Sequence, residues 1–164
     1  RQDMNFPLEL MSADDIETIP GDNTIIAKTI PVNLMAKSYY DLVNETTTRY
    51  ELENVTDQAV ITEKLFKSLY FLRPFLLNAG PHTLNLLKDL GFRTCDWLFD
   101  ESFDSLINPI DRHEVIVNNI KNYKNNYKLL ETRIRDNMDS LIHNYNHVKN
   151  LNIEDYLIRN LKSI

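Results

Sequence analysis

The chain is poor in cysteine. Cys95 stands alone in 164 residues, so no disulfide can form within it and nothing demands an oxidising compartment. A basic excess is also missing. The net charge of −6 argues against a general nucleic-acid binder, which needs a basic face, although a local basic pocket is compatible with it. No apolar run approaches the roughly 20 residues that cross a bilayer. The longest, at 69–72 and 75–77, are separated by Arg73. No signal peptide opens the chain, so the sequons at Asn44 and Asn54 carry no message, and the expected location is the cytoplasm. The first residue is Arg1 rather than Met, which is expected of a chain processed or cut from something longer.

What is present fits a globular domain. Apolar residues make up 43% and charged residues 26%, and the length suffices for one domain with a real core. Asparagine is abundant, with doublets at Asn118-Asn119 and Asn125-Asn126. That bias points to an AT-rich genome such as that of a phage, a virus or a marine bacterium, and to host cytoplasm if the source is viral.

Residues 1–31 hold no steady period and are punctuated by Pro7, Pro20, Gly21 and Pro31, which reads as a connecting segment with a short strand at 24–28. Residues 38–45 suit a buried strand through Tyr40, Leu42 and Val43, followed by a polar loop at 46–58. Residues 62–71 read as a helix, with Thr62 as N-cap and Leu65, Phe66, Leu69 and Tyr70 on one face; Arg73-Pro74 ends it. Residues 74–78 are short, apolar and bounded by breakers, as in a buried parallel strand. A second helix at 83–90 turns Leu84, Leu87 and Leu90 inward and closes at Gly91. Strand and helix in alternation predict an α/β fold with a small parallel sheet and crossover helices. An aromatic and acidic loop at 95–108 follows. The apolar stripe from Ile116 to Val148 then predicts one long helix, or two with a break near Asn125-Asn126, and a short helix at 153–161 ends the chain.

Four constellations could carry chemistry. Thr62-Glu63-Lys64 lies at a helix mouth, where unpaired N–H groups and the helix dipole attract anions. Lys64 adds a charge for phosphate, and Glu63 can accept two hydrogen bonds from a ribose diol. The loop at Asn44-Glu45-Thr46 leaves the first strand at the same carboxyl edge, where ligands bind in open α/β folds. The same residues also suit a plain helix start: a Thr cap, a Glu in the first turn, a solvated Lys. At Asn78-Ala79-Gly80-Pro81-His82-Thr83 a glycine turn again meets a helix N-terminus, so backbone near Gly80 could approach a ligand, or Thr83 or His82 could simply cap. Asp96, Asp100, Glu101 and Asp104 could hold a metal, but they lack the glycine turn of a calcium loop. Trp97, Phe99 and Phe103 are expected to pack that loop down, its acids solvated or capping the helix after Pro109. His143 and His147 share a helix face without a third ligand, as in a surface pair, and Cys95 has no adjacent histidine to activate it. The stripe from Ile116 to Val148 reads as core packing, with a partner-binding coiled coil as the sharper alternative.

Val60-Ile61-Thr62-Glu63-Lys64-Leu65 resembles the T-E-K segment of fucosyltransferase-like enzymes of the GT-B class. The longer run 61–94, then Asp100-Glu101-Ser102-Phe103-Asp104, then Arg112, is similar to glycosyltransferase domains of large phages and marine viruses. Val43-Asn44-Glu45-Thr46 supplies that family's first strand end. Phe103 replaces its usual tyrosine, Cys95 its phenylalanine and Ser68 its proline. The resemblance covers roughly residues 31–148.

The resemblance implies the nucleotide-sugar-binding half of a GT-B glycosyltransferase. Its fold would be a small parallel Rossmann-like sheet with a helical C-terminal third. Residues 1–31 would form a linker or the end of a preceding domain, 32–108 the donor-binding core, and 109–164 helices packed on it. Glu63 would hold the ribose hydroxyls and Lys64 the diphosphate; Glu45 and Thr46 would lie beside the donor, with Thr62 and Gly80 at the same edge. The nucleotide sugar is then a substrate, with no metal and no cofactor implied. A length of 164 residues leaves no room for the acceptor domain such enzymes carry, so a missing N-terminal domain or partner chain is expected, and no catalytic base is in view. The rival expectation is a non-catalytic structural or interaction module of a virus or phage particle that keeps the fold.

Overall fold

The structure is a computed structural model that describes residues 38–45 and 61–151. The expectations for residues 1–31, for the strand at 24–28, for the loop at 46–58 with Thr46, and for a helix at 153–161 fall outside the described residues. From Tyr39 onward the described residues belong to one compact unit.

The fold is α/β and mostly helical. Its elements among the described residues are β1 (Asp41–Asn44), α1 (Glu63–Tyr70), β2 (Phe75–Asn78), α2 (Thr83–Asp89), a 3-10 turn (Ser102–Ser105), α3 (Pro109–Tyr123), α4 (Tyr127–Asp136) and α5 (Met138–Asn150). β1 and β2 pair in parallel, with Asp41 opposite Phe75 and Asn44 opposite Asn78. A parallel pair needs a crossover, and α1 lies between the two strands in the chain. β1 is shorter than the expected 38–45. Val43 is buried, but Leu42 is 43% exposed, although its register partner Leu76 on the same face is buried.

α1 starts where the sequence indicates. Thr62 adopts extended backbone and its hydroxyl accepts from the Lys64 N–H. Leu65 and Leu69 are buried, and each such leucine contributes about 2 kcal/mol by leaving water. The helix ends earlier than Arg73-Pro74 would dictate. Leu72 takes φ 53, the Arg73 N–H bonds the Ser68 carbonyl and the Leu72 N–H faces the Leu69 carbonyl. This is a Schellman closure with leucine where glycine is usual. The left-handed backbone costs on the order of 1–2 kcal/mol, which burial of the Leu72 side chain offsets. α2 closes in the same way at Gly91, φ 89, where the Phe92 N–H reaches the Leu87 carbonyl.

The apolar stripe of the C-terminal half makes three helices instead of one or two. The expected break falls at Lys124 to Asn126, and a second falls at Asn137. Asn137 leaves helical geometry at φ −116 and ψ 20, and its side-chain amide bonds the Arg133 carbonyl. That competition with the backbone ladder is what asparagine does at helix ends. The turn lets α5 come back against α1. Ile116, Tyr123, Leu130, Ile134 and Leu141 are buried, so these positions of the stripe are core packing, while Tyr127 is 55% exposed. No helix among the described residues is long and apolar enough to cross a membrane.

Candidate functional site

The parallel register brings both strands to a common end. Asn44 and Asn78 face each other there, and the Glu45 N–H continues the ladder to the Asn78 carbonyl. The mouth of α1 opens at this carboxyl edge, as the sequence indicates. The buried Glu45 carboxylate accepts from the Thr62 N–H at 3.0 Å and from the Thr62 hydroxyl at 2.6 Å. Lys64 donates its ammonium to the Asn44 carbonyl at 3.1 Å and lies 4.0 Å from Glu45. Glu45, Thr62 and Lys64 are thus assembled around the helix start. Glu63 is the first residue of α1.

The geometry changes what these groups can do. Glu45 already occupies the anion position at the helix mouth, held by two hydrogen bonds and the dipole. It acts here as an internal clamp joining β1 to α1. Lys64, with its side chain 41% exposed, is the group of the cluster best placed to meet a solvent-borne anion.

The mouth of α2 is closed differently. His82 occupies the cap position in left-handed backbone, φ 62, and its side chain caps nothing. The Thr83 hydroxyl donates to the Gly80 carbonyl at 2.7 Å. The free N–H groups of Leu84 and Asn85 go to the buried Asp104 carboxylate at 3.0 and 3.3 Å, and the His82 N–H goes to the Asp104 carbonyl. Asp104 therefore caps α2, not the helix after Pro109. That helix is capped by Asn108, which accepts from the Ile110 N–H. Arg112, buried on α3, donates to the carbonyls of Leu106 and Ala79 and so ties α3 to the Gly80 turn.

In the rest of the acidic loop Asp96 and Asp100 are exposed, as expected, and Asp100 accepts from the Ser102 N–H. Phe99 and Phe103 are buried, as expected. Glu101 accepts from the Thr94 hydroxyl at 2.9 Å and from Lys88 at 3.2 Å; burial pushes its carboxyl pKa up against those two favourable contacts. No group of three or more metal-ligating side chains exists among the described residues. His143 and His147 are not the expected surface pair. Their Nε2 atoms lie 2.9 Å from the Gly91 carbonyl and 2.7 Å from the Leu90 carbonyl, so both must carry a proton there. With Asn144, which bonds both backbone groups of Arg93, they fasten α5 to the end of α2. The Cys95 thiol is buried and accepts from the Phe75 N–H, and burial pushes its pKa up, which keeps it an unreactive thiol.

Sequence reasoning placed the Glu45 loop and the Thr62 mouth at one edge. It missed the Asn44–Asn78 side-chain contact, 2.9 Å from amide N to amide O. The one available signal was that both strands end in asparagine, and only the register makes it a pair. No family model matches the chain, and no curated protein or solved structure shows significant similarity to it.

Proposed function

We propose that this chain is the donor-binding part of a metal-independent GT-B-type glycosyltransferase, binding a nucleoside diphosphate sugar at the carboxyl edge of a small Rossmann-like sheet. The observation that carries the reading is the convergence of Glu45, Thr62 and Lys64 at that edge, on a parallel strand pair joined through a helix. Lys64 would exchange a backbone carbonyl for a diphosphate oxygen, a stronger charge-assisted partner, and would stabilise the leaving diphosphate during in-line displacement. Glu45 would position the helix mouth. Glu63 and Thr46 would complete the donor site as the resemblance implies, and Gly80 would border it. The acceptor and the general base would come from another domain or partner chain, in the cytoplasm of the cell or of a viral host.

Calorimetric titration with a panel of nucleoside diphosphate sugars tests this. Saturable binding to one of them is expected, with Lys64→Ala abolishing it at unchanged melting temperature. Silence across the panel for the unmodified chain would sink the proposal. A second reading, a non-catalytic interaction module, is favoured by Ile107, just before α3, and Ile110, in its first turn, which are 71% and 73% exposed. It would gain if Ile110→Lys changed assembly state in sedimentation while the panel stayed silent.

A further inference from the structure

We infer that the Asn44–Asn78 amide pair reads the hydroxyl groups of the sugar carried by the donor, an assignment that rests on the donor-site reading above.

Side chains alternate along a strand. Asp41 and Glu45 bond Ser68 and Thr62 on the α1 side of the sheet. Leu42 and Asn44 therefore stand on the opposite face, and so do Leu76 and Asn78 across the register. Asn44 is exposed and Asn78 half-buried at the open end of that face, with Leu42, 43% exposed, two residues back along β1. One hydrogen bond, Asn78 Nδ2 to Asn44 Oδ1 at 2.9 Å, fixes the two amides against each other. That bond does not use the Asn44 Nδ2 donors or the Asn78 Oδ1 acceptor. Turning both amides over exchanges the two roles and still leaves one spare donor group beside one spare acceptor.

That pattern complements a vicinal diol, in which each hydroxyl both gives and takes a hydrogen bond. The exposed Leu42 side chain adds an apolar surface suited to the C–H face of a sugar ring. The position is also right. The Lys64 ammonium sits on the carbonyl of Asn44 itself, so the cation proposed for the diphosphate and the amide proposed for the sugar meet at one residue. In a nucleotide sugar the hexose hangs directly on the terminal phosphate. A purely structural pair would be an ordinary cross-strand contact, contributing about 0.2–1 kcal/mol and indifferent to ligand.

The test is calorimetry on the full chain with a nucleoside diphosphate and with the matching nucleoside diphosphate hexose. It compares the unmodified protein, the Asn44→Ala/Asn78→Ala double variant and Lys64→Ala. Asn78→Ser alone repeats the measurement should the double variant fold poorly. The double variant is expected to bind the hexose conjugate roughly tenfold more weakly, as loss of one or two hydrogen bonds implies, and the diphosphate as before. Equal weakening of both ligands would assign the amides to the nucleoside and overturn the inference. Unchanged hexose binding by a double variant, alongside its loss in Lys64→Ala, would overturn the amide assignment and leave the donor site standing. No binding of either ligand by the unmodified protein would remove both.

Discussion

The two helix mouths at the carboxyl end of the strand pair receive the same kind of group by different routes. α1 is capped by its own Thr62 and reinforced by Glu45 from the preceding strand end. α2 has no side-chain cap from its own start, and its N–H groups depend on Asp104, which arrives from beyond the end of the helix. In both, a buried carboxylate satisfies the positive end of the dipole. The difference is redundancy. α1 has two caps, whereas α2 has one carboxylate and a cap residue in left-handed backbone. A mouth closed once is a weaker point of the fold than a mouth closed twice.

Removing the single closure should do the most damage. Asp104→Ala strands the N–H group of Leu84 in the interior and removes the acceptor of the more exposed Asn85 N–H, and is expected to cost about 2 kcal/mol in denaturant unfolding. Asp104→Asn should recover part of that through its remaining oxygen. A loss below the Thr62→Ala value would break the comparison.

At α1 each single change should cost less. Thr62→Ala removes a cap worth about 1 kcal/mol, and Glu45→Gln keeps an acceptor while giving up the charge. The two groups touch, so their double-mutant cycle should show coupling of roughly 0.5 kcal/mol or more. Strict additivity would mean that they close the mouth independently.

Lys64→Ala sharpens the contrast between structure and ligand. Its ion pair with Glu45 is long and partly exposed, so the stability change should stay within about 0.5 kcal/mol by the same unfolding measurement. A larger loss would make Lys64 a third structural member of the mouth.

The smallest effect concerns Glu101, three residues before Asp104. Burial raises its pKa, so the folded state holds the proton more tightly than the unfolded chain. That stabilisation is fully present below the ordinary carboxylate range and is lost as pH rises through the folded pKa of Glu101. Glu101→Gln should flatten this part of the pH profile of unfolding free energy. A profile unchanged by the substitution would show that Lys88 and Thr94 fully compensate burial.

The legibility of each feature followed the range of the interactions that make it. Thr62 as a cap and Gly91 as a helix stop are written within a few residues, and both appear in place. The break near Asn125-Asn126 was one of the two alternatives the local pattern allowed, while the break at Asn137 depends on its amide turning back onto Arg133. The histidines at 143 and 147 were misjudged because nothing near them in sequence shows the carbonyls of Leu90 and Gly91 waiting across the fold. Leu72 carried no local signal: positive φ is rare for a leucine, and its burial appears only in the folded core.

By itself the sequence determined that alternating apolar segments and turns would give a parallel strand pair around α1, with Glu45 and Thr62-Glu63-Lys64 at its carboxyl edge. Hydrophobic period and local capping suffice for that, because each acts over a turn or a strand. Only the tertiary structure decided that Glu45 spends its carboxylate on Thr62, that Asp104 serves α2, and that Asn44 meets Asn78. Those are contacts between groups far apart in the chain, and the register and burial that create them exist only once the core has closed.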